Sequence, residues 1–361
     1  ATCPGTRVEG LPSRLIEADT RQDNVWGPWR RMVRAWAADP VVRFEGSTGG
    51  VLTALATYLL ASKRVDFVLH VKTSSSEPSF GEPTLSFTDA DVFEAAGSRY
   101  GPTAPLLNID EILERNQTFA FVAKPCDIGA LRNYAKQDER VDRLMRYCLT
   151  LVCGGFGTPQ GTNAFFRRVG IEPDAVTGLR YRGRGCPGPT RVETTEATQE
   201  FHYLDFWGED ETTWTLPFRC KICPDGIGEA ADIAVSDTWV GGSPNRVDSV
   251  DDPGVNGLIA RTAAGEELVA AAARDGALTI DYDIVPDTLS IYQPHQVNKK
   301  YSAWARHQGL RDAGRIVPHT EGLRIEELAL DLPEETNRFQ RDGTRQRVEN
   351  GKASEPTPEK A

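Results

Sequence analysis

A chain of 361 residues, 39% hydrophobic and 26% charged, is long enough to bury a large core and to hold two domains. Its formal charge of −11 argues against nucleic acid as the main partner, because phosphate binding needs a basic surface. No apolar run approaches the roughly 18–20 residues that span a bilayer, no signal peptide is evident, and seven thinly spread cysteines, an odd number, do not make a disulfide framework. A reducing, cytoplasmic setting is therefore expected, in which clustered thiolates serve metals or redox chemistry.

Residues 1–45 read as a lead-in. Trp26, Trp29 and Trp36, with arginines between them, have the spacing of a short amphipathic helix packing its indoles on the body, the alternative being a partner-docking surface. The run Phe44-Glu45-Gly46-Ser47-Thr48-Gly49-Gly50 precedes a helical pattern over 51–62. Small residues at a helix start leave backbone N–H groups facing outward, which suits a phosphate and equally a plain N-cap. A strand is expected over 65–72, a second over 84–88, then a loop, Gly97-Ser98-Arg99-Tyr100-Gly101-Pro102-Thr103. That loop brings a guanidinium and an aromatic ring together, as an anionic planar ligand or an ordinary turn would require.

The run 118–123 is a buried strand ending in Lys124-Pro125-Cys126-Asp127, with a helix following to about residue 136. Strand-to-helix turns are where open α/β sheets place ligands. A second buried strand over 147–152 ends in Cys153-Gly154-Gly155. A helix around 163–169 leads to the loop Arg180-Tyr181-Arg182-Gly183-Arg184-Gly185-Cys186-Pro187, a cationic patch able to hold a diphosphate or carboxylate, to dock a partner, or simply to turn in solvent. After Cys220-Lys221-Ile222-Cys223 an alternating strand over 231–239 ends at Asp237 and Trp239. Strands over 255–261 and 278–284 flank a helix over 265–274. Beyond about residue 332 the composition predicts a disordered tail.

A Cys-x-x-Cys pair can bite one metal from two sides, but no second pair follows locally. The other ligands must be distant, and Cys126 and Cys153 are the candidates. Four thiolates suit zinc or a [4Fe–4S] cluster. Ligands drawn from sheet edges and a remote loop, with glycines beside Cys153, favour the bulkier cluster; a redox dithiol at Cys220/Cys223 is the remaining alternative. Cys148 reads as a core thiol. Cys186 is left between a second-cluster ligand and a thiol near the substrate. Cys3-Pro4 has the form of a ferredoxin segment end, either vestigial or left from an upstream segment; the chain begins with Ala1, as after trimming.

Several stretches together, Gly46-Ser47-Thr48-Gly49-Gly50-Val51-Leu52-Thr53-Ala54-Leu55, Ser98-Arg99-Tyr100-Gly101-Pro102, Lys124-Pro125-Cys126-Asp127-Ile128-Gly129-Ala130-Leu131-Arg132, Arg182-Gly183-Arg184-Gly185-Cys186-Pro187-Gly188 and Arg219-Cys220-Lys221-Ile222-Cys223 with Ala231-Asp232-Ile233, resemble the coenzyme F420 hydrogenase and dehydrogenase beta subunit family. Within it the likeness leans to the branch holding 7-hydroxymethyl chlorophyll a reductase and the ferredoxin-dependent divinyl chlorophyllide vinyl reductase. The resemblance covers roughly 44–294. It implies FAD and at least one [4Fe–4S] cluster, a second being possible if an upstream segment exists. It also implies exchange between a one-electron donor, ferredoxin-like or a partner redox subunit, and a two-electron partner, F420 or a small organic or tetrapyrrole-like substrate. By position, Ser47, Thr48, Gly49 and Gly50 would cradle FAD phosphates, Ser98, Tyr100 and Gly101 would line the site, and Lys124 would sit near the flavin. Cys126, Cys153, Cys220 and Cys223 would hold the cluster. The family often has His where this chain has Gly154.

The expected fold is α/β: a mixed-sheet flavoprotein core with helices on both faces, a cluster-binding insert and a disordered C-terminal tail. The expected regions are the lead-in 1–45, an FAD-binding region 46–160, a second α/β region 161–330 with the Cys pair, and the tail 331–361. Arg182 is expected at the cofactor, and His295 and Asp237 are candidates for the proton donor. The expected activity is that of an iron–sulfur flavoprotein oxidoreductase passing electrons from a ferredoxin-like donor to an organic substrate, as an oligomer. The alternatives are an F420-oxidising electron-entry subunit of a larger complex, and a zinc-stabilised binding module without catalysis.

Overall fold

A computed structural model describes residues 2–209, 214–247 and 252–354. Its centre is an eight-stranded mixed sheet in the order Leu278–Asp283, Arg31–Ala37, Asn256–Ala260, Ile233–Asp237, Met145–Leu151, Phe119–Ala123, Phe67–Thr73, Gly81–Ser86. The middle four, from Ile233–Asp237 to Phe67–Thr73, run parallel, and antiparallel strands extend the sheet on both sides. Parallel strands are buried on both faces and therefore apolar throughout. Phe119–Ala123 shows why: Phe119 and Phe121 enter one core with Ile128 and Leu131, while Ala120 enters the opposite core with Leu55 and Leu268. Helices thus cover both faces, as expected.

Between Met145–Leu151 and Ile233–Asp237 the chain makes a long excursion. It carries the helix Pro159–Arg168, a three-stranded sheet ordered Thr198–Phe201, Thr190–Thr194, Val176–Arg180, and the short helices Tyr203–Trp207 and Phe218–Lys221. Its own apolar cluster of Phe165, Phe166, Leu179, Tyr181 and Val192 packs on Tyr100 and Phe206.

Two expectations change. The tryptophan-rich lead-in is not a helix: Gly27–Trp29 and Arg31–Ala37 are strands, the second inside the main sheet between Leu278–Asp283 and Asn256–Ala260. The Trp spacing mimics a helical stripe, but Val33, Ala35 and Ala37 alternate with polar or aromatic neighbours and pack on one face, which is the period of a strand. The tail from 331 is not disordered over its described part. Glu334–Glu349 is a helix packed on the long helix Pro294–Asp312, with Thr344 and Val348 buried and Arg341 paired to Asp312, Nη2 to Oδ1 2.8 Å. Its apolar stripe is sparse, so docking rather than intrinsic propensity sustains it. Residues 355–361 lie outside the described residues. No helix among the described residues is long and apolar enough to cross a membrane.

Candidate functional site

The carboxyl ends of the four parallel strands face one edge, where open α/β sheets bind ligands. There the structure holds a cavity of about 300 Å³. Its floor includes the turn before the helix Val51–Ala61. Thr48, Gly49 and Gly50 all have positive φ, at 60°, 100° and 70°, and the helix start has no side-chain cap. A Cβ on Gly50 would meet the Val42 carbonyl oxygen at 2.5 Å, so only glycine fits there. The turn is pinned from outside: Ser98 N donates to Ser47 Oγ (3.0 Å), Val51 N to Asn256 Oδ1 (3.3 Å), and Arg182 Nη2 to Thr48 Oγ1.

Of the residues singled out by sequence, Ser47, Gly50, Ser98, Tyr100, Lys124, Arg182, Asp237, His295 and Cys153 line this cavity. Thr48 and Gly49 lie behind its wall, and Gly101 packs against the Ser79 carbonyl and the Tyr181 hydroxyl. The 180–189 loop is no docking patch at Arg182, which is 2% exposed. Its Nη1 donates to Asp237 Oδ2 (3.0 Å) and to the Tyr100 hydroxyl (3.3 Å), and the guanidinium lies 5.4 Å from the rings of Tyr203 and Trp239. Burial alone would lower its pKa; Asp237 and Tyr100 outweigh that and raise it, so Arg182 is charged. Burial, with Lys299 nearby, pushes His295 down to about 4. At neutral pH His295 is thus an uncharged imidazole, poorly suited to the expected role of proton donor. Burial would also lower Lys124, but Asp127, whose Oδ2 lies 2.7 Å from Nζ, and Cys126 raise it.

The cavity leaves several donors unmet, among them the guanidinium of the 97–103 loop and two indoles that the sequence did not single out. Arg99 is pushed down to about 10 by burial and by Arg180, and remains a cation at pH 7. Its Nη1 donates to the Ser98 carbonyl (3.2 Å), while its Nε has no acceptor among the described residues. The indole N–H groups of Trp207 and Trp214, whose rings lie 5.4 Å apart on the cavity wall, also lack acceptors among the described residues. A buried donor left unmet costs about 1–3 kcal/mol, so this cavity is built for a ligand rich in acceptors. The Ser98-Arg99-Tyr100 loop carried that signal; the indoles, on an excursion of no recognisable pattern, did not.

The second feature adjoins the first. Cys126 begins the helix Pro125–Tyr134, Cys153 follows the adjacent strand Met145–Leu151, and Cys220 and Cys223 lie on the short helix Phe218–Lys221 and just after it. The Cys220 and Cys223 thiols each feel Cys153 electrostatically, and Cys126 feels both Cys153 and Cys223, so the four share one basin. Cys126 is exposed at the surface. The basin is glycine-tight: a Cβ on Gly155 would meet Leu216 at 3.0 Å and Cys220 Cβ at 3.3 Å. Among the described residues no three His, Cys, Asp or Glu side chains are close enough to hold a single metal ion. Burial pushes Cys220 up to about 11 and raises Cys126 and Cys223, which is the reverse of what a redox-active dithiol needs. Such thiols become thiolates when a metal displaces their protons.

A helix from elsewhere in the chain braces this basin. One face of Pro294–Asp312 presents Gln296, Lys300 and His307, each 1–2% exposed. Gln296 Nε2 donates to the Cys153 carbonyl (2.9 Å), Lys300 Nζ to that of Pro224 (3.1 Å) and His307 Nε2 to that of Ile222 (3.0 Å), while Cys153 N donates to the Gly226 carbonyl (2.6 Å). The remaining cysteines are apart. Cys148 is a core thiol at 3.1 Å from Met145 Sδ, as expected. Cys186 is 4% exposed behind the cavity wall, near Arg182 and Thr48, and burial pushes it up to about 12. Cys3 is exposed.

A mixed α/β sheet that gathers an acceptor-seeking cavity and a basin of four thiols at one edge has the architecture of a redox protein. Two family models match the chain. One describes the N-terminal part of the coenzyme F420 hydrogenase/dehydrogenase beta subunit and matches 32–109; the other describes the C terminus of the same beta subunit and matches 116–283. Together they cover more than half of the chain, which belongs to the coenzyme F420 hydrogenase/dehydrogenase beta subunit family.

Among relatives, the F420-dependent formate dehydrogenase 1 subunit beta of Methanococcus maripaludis is 34% identical over 245 residues, 66% of this chain and 58% of that one. The coenzyme F420 hydrogenase subunit beta of Methanococcus voltae is 24% identical over 306 residues, 81% of this chain and 99% of that one. The chain spans between about a third and three-fifths of the length of the formate dehydrogenase beta subunits it matches. In fold it is similar to a chain of the F420-reducing [NiFe] hydrogenase complex from Methanosarcina barkeri, with a TM-score of 0.62 and 17% identity over 82% of this chain and 98% of that one.

Proposed function

We propose that this chain is the F420-linked electron-entry subunit of a larger redox assembly, holding FAD in the cavity and a [4Fe–4S] cluster in the thiol basin. The observation that carries the reading is Cys153, which lines the cavity and belongs to the basin. One residue thus stands between a two-electron and a one-electron compartment. The thiols fit a cluster by donor type, beside a glycine-tight turn at Gly155. Similarity to F420-dependent formate dehydrogenase and F420 hydrogenase beta subunits favours F420 over the tetrapyrrole-type substrate and ferredoxin donor expected from sequence.

A bound flavin supplies the exchange between hydride and single electrons. The chain's own residues do the rest. The Ser47–Gly50 turn and Arg99 would meet the anionic end of the cofactor. Arg182, fixed by Asp237 and Tyr100, gives the wall a permanent positive charge. Lys124 brings a cation to the side nearest Cys126 and Cys153. His295 stays uncharged at neutral pH, and Tyr203, Trp207 and Trp214 give the wall an aromatic face.

Anaerobically purified chain is expected to contain iron, acid-labile sulfide and FAD, and to be bleached by reduced F420. A colourless chain with one zinc, or a yellow one that reduced F420 leaves unbleached while reduced ferredoxin bleaches it, would overturn the reading. Arg99→Met is expected to weaken FAD binding by about 1.5–3 kcal/mol, the worth of a hydrogen bond to a charged group, or roughly ten- to a hundredfold in Kd. Titration calorimetry of FAD into apoprotein measures this; an unchanged Kd would place the anionic end elsewhere.

A further inference from the structure

Beneath the loop that follows Cys223 lies a set of buried charges of which only Lys300 has entered the description so far. Glu229 and Arg261 are 0% exposed, Lys300 2% and Asp225 4%. Arg324, partly exposed, closes the set from the rim. Glu229 is pinned from two sides, by Lys300 Nζ on Oε1 and by Arg324 Nη2 on Oε2. Lys300 also donates to the Pro224 carbonyl, one residue past Cys223. Both Asp225 carboxylate oxygens accept from Glu229 N, at 3.1 and 3.2 Å. Arg261 donates to the carbonyls of Trp26, Pro28, Ile227 and Gly228 at 2.6–3.1 Å, tying the same loop to the first strands of the fold.

Burying such a set is costly, and replacing buried ions with apolar side chains often leaves stability unchanged or improved. Stability alone is a weak reason for it. Its composition suggests another. Three cations face two carboxyls, so positive charge is in excess whatever the protonation of Asp225. The excess sits in a low-dielectric interior where charges act over distance, against a loop that is hydrogen-bonded through Gly226 to Cys153 and whose Cys223 also feels the Asp225 carboxylate and, from outside the set, Lys299.

We propose that this buried set, with Lys300 and Glu229 as its positioning residues, holds the Cys223 loop in register and biases the group bound by the thiols toward its reduced, more negative state. The inference rests on the cluster reading above. One-electron reduction adds one negative charge to the bound group and neither makes nor breaks a bond, with the electron arriving from reduced flavin. A surplus cation nearby therefore raises the midpoint potential, and removing one lowers it.

The test is a dithionite titration of the whole anaerobic chain followed by electron paramagnetic resonance, with iron and sulfide assayed in each sample. Lys300→Met is expected to move the one-electron equilibrium about tenfold toward the oxidised form, about 59 mV more negative. Glu229→Gln, which removes a negative charge from the same pair, is expected to move it the opposite way. A purely structural role predicts no such opposition of sign. Variants that keep their iron and show the wild-type potential, or that shift in the same direction, overturn the inference. Should Lys300→Met yield no folded chain, Arg324→Gln at the rim carries the test with a smaller negative shift, and a wild-type potential there overturns it equally. Wild-type chain without iron and sulfide overturns the cluster reading itself, a result distinct from unchanged potentials in iron-loaded variants.

Discussion

Cys223→Ser is expected to strip the chain of iron and sulfide, and of the broad visible absorption they give, while leaving FAD in place. Serine offers an alcohol that burial holds protonated even more firmly than the thiol it replaces, which is already raised. Cys223 does not line the cavity, so the proposed flavin site keeps its walls. Reduction of a one-electron acceptor by reduced F420 should then fall by at least about a hundredfold, since the exit for single electrons is gone. Cys153→Ser should differ, disturbing both iron and FAD, because Cys153 borders both compartments. Iron, sulfide and flavin assays on the two variants check the pair of outcomes. Retention of full iron in Cys223→Ser would remove that residue from the ligand set.

Arg182→Met should have the largest effect on stability. Asp237, Tyr100 and Thr48 each lose a donor at once. Breaking a buried pair by removing one partner costs about 3–5 kcal/mol. Here the Asp237 side chain keeps 29% of its surface in solvent while that of Arg182 has 3%, so partial hydration brings the expected loss to about 2–3 kcal/mol. Urea unfolding checks it. Asp237→Asn in the same chain should recover part of the loss, because it removes the charge left unpaired. A single variant as stable as wild type would mean that water replaces the guanidinium without penalty. FAD affinity should fall as well, since the permanent positive charge of the wall is gone.

Much of this site was legible in advance because its parts obey strong local rules. The runs 118–123 and 147–152 are short, continuous and apolar, which is how strands buried on both faces read, and the structure ends strands at Ala123 and Leu151. Each delivers its cysteine to the same sheet edge. The glycine turn was legible because only small residues tolerate its backbone. The Trp26–Trp36 stretch misled because aromatic spacing can satisfy two periods over so short a span. The helix Glu334–Glu349 misled because composition cannot reveal a surface elsewhere waiting to be covered. The bracing of the thiol loops was invisible for a different reason. Gln296, Lys300 and His307 bind backbone carbonyls, and a carbonyl carries no residue type for a sequence to display.

That bracing bears on how the chain can be divided. The matched C-terminal stretch of the family stops at residue 283, well before the helix Pro294–Asp312 begins. A fragment cut at the end of that stretch would retain all eight strands of the main sheet and every one of the four thiols, yet lack the scaffold that fixes two of their loops. Such a truncated piece would own the whole set of ligands without the frame that makes them converge.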